Sequence, residues 1–295
     1  MRLTMRGCRG SIASPGPDTV KYGGNTTCLQ VETAAGDTLI IDAGTGIRQL
    51  GLELMARAPV RCAIFITHTH WDHIQGLPFF TPLFVPGSEV RICGSFDPVY
   101  QKSLAEILAQ QMQYCFFPVS DTELKGNISY ETLREDQVVQ VGSATVRNIV
   151  MSHPVFDYGY RIDADGRSLF FTGDYEPPVN IFAADDEEYE DYAASIAEQR
   201  AALLAFLRGV DTLVIDAQYT EAEYRAGRIG WGHGTYDSGI ALAEEAGIPR
   251  VVLTHHDPTR SDAALDTIHA QLLASRSGRG GPEVIMAYEG LRLEI

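Results

Sequence analysis

Five short segments of the chain share one arrangement of apolar and polar positions. Each is a run of apolar, often β-branched residues that stops at an acid or a histidine: Thr38-Leu39-Ile40-Ile41-Asp42, Ala63-Ile64-Phe65-Ile66-Thr67-His68, Leu169-Phe170-Phe171-Thr172-Gly173-Asp174, Leu213-Val214-Ile215-Asp216 and Val251-Val252-Leu253-Thr254-His255. Apolar runs of this length without polar alternation predict strands buried on both faces. Helices must then cover the sheets. Val99 to Gln113, Ala193 to Leu207 and Tyr236 to Ala246 are the candidates, the last followed by Gly247 and Pro249 in the usual order of a helix stop. The pattern predicts an α/β protein with helical layers outside its sheets, and a final strand over Val284 to Met286.

Each predicted strand ends on a residue that can bind a metal or move a proton. Turn chemistry alone also places Asp and His at strand ends. Five recurrences favour a shared cleft in which a rigid sheet holds the ionisable groups.

Composition narrows the setting. At 295 residues a single large domain or two small ones are expected. The longest apolar runs, such as Ala201 to Leu207, fall far short of the roughly 18 residues of a membrane span. Met1 to Gly10 carries three arginines with no apolar stretch behind them, so no secretory leader is expected and the expected compartment is the cytoplasm. Five cysteines without a C-x-x-C predict free, mostly buried thiols. The 39 acidic against 23 basic side chains leave a formal charge of −16, with no basic stripe to grip a polyanion, so a large nucleic acid is not an expected partner. Acids cluster at Asp185, Asp186, Glu187, Glu188, Glu190 and Asp191, within a stretch from 177 to 200 that reads as a solvated acidic insertion.

The densest chemistry lies in Thr67-His68-Thr69-His70-Trp71-Asp72-His73-Ile74. Alternation puts His68 and His70 on one side of an extended segment, and Asp72 and His73 follow where a turn or helix begins. Imidazole nitrogens with carboxylate oxygens suit zinc, with manganese or iron as substitutes. Four ligands so close together can serve two ions but cannot complete both coordination shells.

At these residues the chain resembles the metallo-β-lactamase superfamily, whose H-x-H-x-D-H signature is present as His68, His70, Asp72 and His73. The resemblance continues through His153 in Met151-Ser152-His153-Pro154, Asp174 in Thr172-Gly173-Asp174, and His255 in Leu253-Thr254-His255-His256, with Asp42 matching an early aspartate that supports the ligands. It implies an αββα sandwich, two mixed sheets packed face to face with helices outside, formed by residues 1–295 as one domain, with a helical insert around 95–120. It implies a first metal on His68, His70 and His153, and a second on Asp72, His73 and His255. Asp174 would bridge the two, beside a hydroxide that acts as nucleophile. His256 competes with His255 for the last position. The motif favours His255 and leaves His256 to support the site or touch substrate. A homodimer is a family-level expectation.

A finer resemblance is to the ribonuclease Z and phosphodiesterase branch, carried by Asp216-Ala217-Gln218-Tyr219 and Trp231-Gly232-His233-Gly234-Thr235. In that branch an acid and a histidine pair to protonate the leaving oxygen, which gives Asp216 and His233 catalytic roles together with Asp72. This chain has aspartate where ribonuclease Z has glutamate, and Gly234 in place of serine. It also lacks the basic, Gly-rich arm with which ribonuclease Z grips transfer RNA. A small phosphodiester such as a cyclic nucleotide is therefore the expected substrate. A lactonase or thioesterase, or a non-catalytic metal-binding sensor, is the alternative. Glycines between Gly7 and Thr26 are either close approaches of backbone to the site or tight turns. Phe79, Phe80, Phe84, Tyr114, Phe116, Phe117 and Pro118 are candidates either for core or for a pocket that stacks on a base. The stretch from Val99 to Val119 is the expected carrier of specificity.

Overall fold

The computed structural model describes residues 1–295. Its first half contains strands β1 (Arg2–Gly7), β2 (Cys28–Glu32) and β3 (Thr38–Ile41), helix α1 (Gly46–Leu54), β4 (Arg61–Phe65), the single-turn helix α2 (Trp71–Ile74), β5 (Glu89–Gly94), helix α3 (Leu104–Gln111) and β6 (Asn127–Thr132). The second half contains β7 (Val138–Val141), β8 (Ala144–Met151), β9 (Asp157–Ala164), β10 (Arg167–Phe171), helix α4 (Tyr189–Phe206), β11 (Thr212–Asp216), helices α5 (Glu221–Arg225) and α6 (Tyr236–Ala246), β12 (Arg250–Thr254), helix α7 (Asp262–Ser275), β13 (Glu283–Met286) and β14 (Arg292–Glu294). They form two seven-stranded mixed sheets, ordered β14-β1-β2-β3-β4-β5-β6 and β13-β12-β11-β10-β9-β8-β7.

Side-chain alternation along the five apolar strands explains why they carry no polar alternation. Leu39, Ile41, Ala63 and Phe65 of the first sheet meet Leu169, Phe171, Val214 and Val252 of the second in one core between the sheets. The residues between them face outward and are covered as well. Ile40 and Ile64 pack under Ile47 and Leu50 of α1 and Leu104 and Leu108 of α3. Phe170, Leu213, Ile215, Val251 and Leu253 pack under α4, α6 and α7. Both faces of each strand are thus apolar because each sheet is an inner layer of a four-layer αββα sandwich.

Strands β3 to β6 run parallel, as do β10 to β13, so their C-terminal ends share one edge of each sheet. In open α/β sheets that edge is where ligands bind. The edges are tied together across the sandwich: the Tyr160 hydroxyl donates to the Ile66 carbonyl at 2.8 Å, and the Tyr158 N–H donates to the Thr67 carbonyl at 3.0 Å.

Two helix starts differ from the sequence expectation. The expected helix from Val99 starts only at Leu104, where Ser103 and Glu106 form a capping box; Val99 to Gln101 lie in a loop closed by the Asp97–Lys102 bridge. Helix α4 begins four residues before Ala193, at Tyr189, so the end of the acidic run forms its first turn. Acids there face the positive end of the helix dipole. Helix α6 matches its expected span, with Thr235 as cap and Gly247 in the left-handed conformation at φ 67°. Four cysteines are buried, Cys115 is exposed, and all five are free thiols. No helix is long and apolar enough to cross a membrane.

Candidate metal centre

All seven expected ligands converge where the two sheet edges meet. Asp42 follows β3, His68 lies three residues beyond β4, Asp174 three beyond β10, and His255 directly follows β12. Asp72 and His73 sit on α2, and His153 lies in the loop after β8. Ligand atoms of His68, His70, His153 and Asp174 lie within 4.8 Å of one another, and so do those of Asp72, His73, Asp174 and His255. Asp174 belongs to both clusters. Its Oδ1 is 3.2 Å from His73 Nε2 and 3.1 Å from His255 Nε2, and its Oδ2 is 3.6 Å from His68 Nε2.

The donor set fits divalent cations. Four donors bound at about 2.1 Å around a tetrahedral ion stand about 3.4 Å apart, and the separations above cluster there, as does the 3.2 Å between His255 Nε2 and Asp72 Oδ2. His153 Nε2 and His70 Nδ1 face each other at 3.3 Å. Because His153 Nδ1 donates to the Gly232 carbonyl at 2.9 Å, its neutral ring turns a lone pair toward His70. His68 Nε2, His73 Nε2 and Asp174 Oδ1 are buried without any hydrogen-bond partner. Five buried carboxylates, Asp42, Asp72, Asp157, Asp174 and Asp216, surround these rings. Burying so much negative charge is costly unless cations compensate it.

A second layer of contacts aims the rings. His73 Nδ1 donates to Asp42 Oδ2 at 2.7 Å, and Asp42 is held in turn by the Thr67 N–H at 2.8 Å. His68 Nδ1 lies 2.8 Å from Asp157 Oδ1, and His255 Nδ1 donates to Gln218 Oε1 at 2.9 Å. The two hydrogen bonds leave Nε2 of His73 and of His255 free as a metal donor and fix the orientation of those rings. Asp157 and Gln218 escaped sequence analysis. Asp157 opens a strand rather than ending one, and Gln218 is marked only by following Asp216.

The electrostatics follow from this crowding. For His73, burial opposes protonation, but Asp174, Asp72 and Asp42 outweigh it and hold its pKa well above the ordinary value. Burial and its histidine neighbours push His68 well below. Burial would raise Asp174, yet His255 and His73 hold it well below the usual carboxylate range.

Asp216 and His233 meet beside the ligand clusters. His233 Nδ1 lies 2.9 Å from Asp216 Oδ2, which also accepts the Tyr175 N–H at 3.1 Å. The His233 ring stacks on His255 with centroids 4.9 Å apart, and Nε2 makes no hydrogen bond within the chain. Burial disfavours its charge, but Asp216 and Asp174 prevail and raise its pKa to about 9.

A buried carboxylate that sequence analysis passed over, Glu176, shapes the loop that carries this histidine. It accepts the N–H groups of Gly230 at 2.7 Å and Gly232 at 2.6 Å, and the Tyr224 hydroxyl at 2.6 Å. Gly232 has φ 87°, and a Cβ there would lie 2.5 Å from His153 Nδ1, so only glycine lets this loop reach the ligand. The N-terminal loop is likewise a close approach: a Cβ on Gly10 would fall 2.4 Å from the His255 ring, and the Ser11 N–H donates to Asp72 Oδ2 at 2.7 Å.

The structure decides one alternative that the sequence left open. His256 does not face the cleft. It is fully buried, its Nε2 meets the Ala287 carbonyl at 2.8 Å, and burial lowers its pKa to about 3, so it takes no part in contacting substrate. The six acids from Asp185 to Asp191 are exposed, while farther along α4 Tyr192, Ile196 and Arg200 wall a cavity of about 620 Å³ whose other side includes His153, Glu176 and Gly232. The phenylalanines divide by location. Phe80 is fully buried and Phe84 packs on the α1 layer, whereas Phe79, Phe116 and Phe117 line a separate cavity beside Trp71.

A family model described as the β-lactamase superfamily domain matches residues 37–256. Ribonuclease Z of Shouchella clausii (strain KSM-K16) is 28% identical over 224 residues, covering 65% of this chain and 68% of that protein. Ribonuclease Z of Pseudomonas putida strain KT2440 is 24% identical over 292 residues, covering 84% and 86%. Among solved structures, the metallo-β-lactamase fold protein YhfI from Bacillus subtilis superposes with a TM-score of 0.66 at 19% identity, covering 100% of this chain and 99% of that one. The short form of human tRNase Z gives 0.65 at 18% identity, with coverages of 100% and 99%. These structures share the fold.

Proposed function

This chain belongs to the metallo-β-lactamase superfamily, and from that premise we propose that it is a binuclear metal-dependent phosphodiesterase acting on small phosphodiesters such as cyclic nucleotides. The observation that carries the reading is the Asp216–His233 pair, 2.9 Å apart at the rim of the ligand clusters with Nε2 free. His68, His70 and His153 would hold one divalent ion, zinc by ligand type, and Asp72, His73 and His255 a second, with Asp174 shared. When bound, such ions lower the pKa of water and stabilise charge on a phosphoryl group.

The chain's own residues supply the rest. The Ser11 N–H fixes the Asp72 carboxylate, and Asp42 and Gln218 keep the His73 and His255 imidazoles in the tautomer that presents Nε2. His233, protonated and oriented by Asp216, hands its Nε2 proton to the departing oxygen. A proton donor at that place has most value when the leaving group is a poorly stabilised alkoxide, as in a phosphodiester. A lactone or thioester hydrolase has less use for it.

The ribonuclease Z relatives favour a second reading in which RNA is the diester. The −16 charge and the acids at the start of α4 oppose approach of a polyanion over about 8 Å at physiological salt. A small diester carries a single charge, and cations held by the His and Asp clusters would attract it. Metal analysis of the purified protein should find two ions per chain. Among bis(p-nitrophenyl) phosphate, an aryl ester and a lactone, the phosphodiester should turn over fastest. Cyclic AMP and cyclic GMP should be hydrolysed and precursor transfer RNA left intact at its 3′ end. Efficient RNA cleavage without cyclic-nucleotide turnover would overturn the small-substrate reading, and preference for the lactone or ester would overturn the phosphodiesterase reading altogether.

A further inference from the structure

We propose that the cavity of about 500 Å³ between the metal-binding turn and helix α3 is a nucleobase site, selective for adenine, an inference that rests on the phosphodiesterase reading. It lies against the segment that carries the ligands: Thr69 and Trp71, which line it, are chain neighbours of His68, His70 and Asp72. Its volume falls within the range of small-molecule pockets.

The lining specifies the occupant. Trp71 and Phe79 are 75% and 55% exposed, an arrangement that folding alone does not favour. Phe79 and Phe117 stand edge to face with centroids 5.3 Å apart, leaving ring faces for a flat partner. Gln75, Gln110 and Gln111 add three amides, and no lining residue is charged. Gln111 Nε2 is buried with no hydrogen-bond partner, so a turn of its side chain toward a ligand acceptor in the cavity would satisfy it. Gln75 Nε2 is engaged with Thr26 Oγ1 at 3.3 Å, which leaves its carbonyl oxygen available as an acceptor.

A charged ligand would lose hydration here without gaining a counter-charge. A purely aliphatic one would leave the amides unpaired. A neutral heteroaromatic ring with donors and acceptors on its edge satisfies both the rings and the amides. Adenine pairs a donor with an acceptor at N6 and N7 and is the base that glutamine reads best, whereas guanine is read by Arg or Lys, and neither lines this cavity.

Two p-nitrophenyl diesters separate the base from the chemistry: the ester of adenosine 5′-phosphate and that of methyl phosphate. The native protein should favour the adenosine ester in kcat/KM by about five- to a hundredfold. That ratio should fall toward one in Phe79→Ala and by about tenfold in Gln111→Leu. Equilibrium dialysis with adenosine alone reads the site without turnover, and binding should weaken in both variants. Hydrolysis of both esters with a ratio near one in the native protein would refute the base site and leave the phosphodiesterase reading intact. Adenosine binding that is lost in the variants, in a protein that hydrolyses neither ester, would support the base site and refute the phosphodiesterase. A guanosine ester preferred over the adenosine ester would overturn the assignment of the glutamines.

Discussion

Replacing Asp216 by asparagine removes the charge facing His233 while keeping a side chain of the same shape. Asp216 is fully buried, fixed by the Tyr175 N–H, and 2.9 Å from His233 Nδ1. The raised His233 pKa of about 9 arises against burial, from Asp216 first and Asp174 next. Cations on Asp174 would cancel much of its share, which leaves Asp216 as the main support of the imidazolium. With His233 as the proposed acid, activity requires its protonated form and is lost as pH rises through its pKa. Above the pKa, each unit by which the pKa falls costs about tenfold in the protonated fraction. The variant should therefore lose about tenfold or more at pH 8 from protonation alone, and its alkaline limb should move to lower pH. His233→Ala should lose about 10² to 10⁴, the range of general acid catalysis. Both losses belong to substrates with poor leaving groups. The assay is kcat between pH 6 and 10 with cyclic AMP, whose leaving group is an alkoxide, and with bis(p-nitrophenyl) phosphate, whose phenolate departs without a proton. Equal losses on the two substrates, or an alkaline limb that stays in place in Asp216→Asn, would refute the general-acid assignment.

Asp174→Ala should reduce the bound metal from two ions to one or none, because this carboxylate serves both clusters; elemental analysis of dialysed protein that still finds two ions would exclude the shared role. Glu176→Gln should lower kcat about 10- to 100-fold by slackening the Gly230–Gly232 loop behind His153 and His233, with KM for a p-nitrophenyl diester little altered, and an unchanged kcat would reduce Glu176 to a loop anchor. Chelation of the metal should lower the thermal midpoint, since five buried carboxylates would then repel one another, and zinc should restore it; a midpoint indifferent to chelator would show that the cluster is stable without cations. Phe80→Ala empties a fully buried position under α1 and should cost about 3–5 kcal/mol in urea denaturation of the metal-loaded protein.

Much of this architecture was legible along the chain because two periodicities and one motif are local. Apolar runs such as Thr38 to Ile41 and Val251 to Thr254 have to be buried on both faces, and that demand alone implies sheets covered by helices. The spacing of His68, His70, Asp72 and His73 survives translation into space because one strand end and one helical turn hold all four. Capping residues set the limits of α6 in the same local way, while the start of α3 shifted because a four-residue loop closed by Asp97 and Lys102 intervened.

What only the tertiary structure decided depends on contacts between segments distant in the chain. Asp157 stands 89 residues from His68 (157 − 68), and nothing near Asp157 in sequence marks it. His255 and His256 are neighbours with opposite fates, because the left-handed turn at His255, φ 60°, sends one ring to the metal cluster and the other into the core against Tyr22. Glu176 gains its role from a loop more than fifty residues later, and the aromatic residues around Phe79 divided only when α3 closed over the turn after β4. Strand pattern and ligand spacing are properties of consecutive residues. The aim of each ligand, the tautomer it holds and the cavity beside it depend on how two sheets pack face to face and bring distant segments together at one rim.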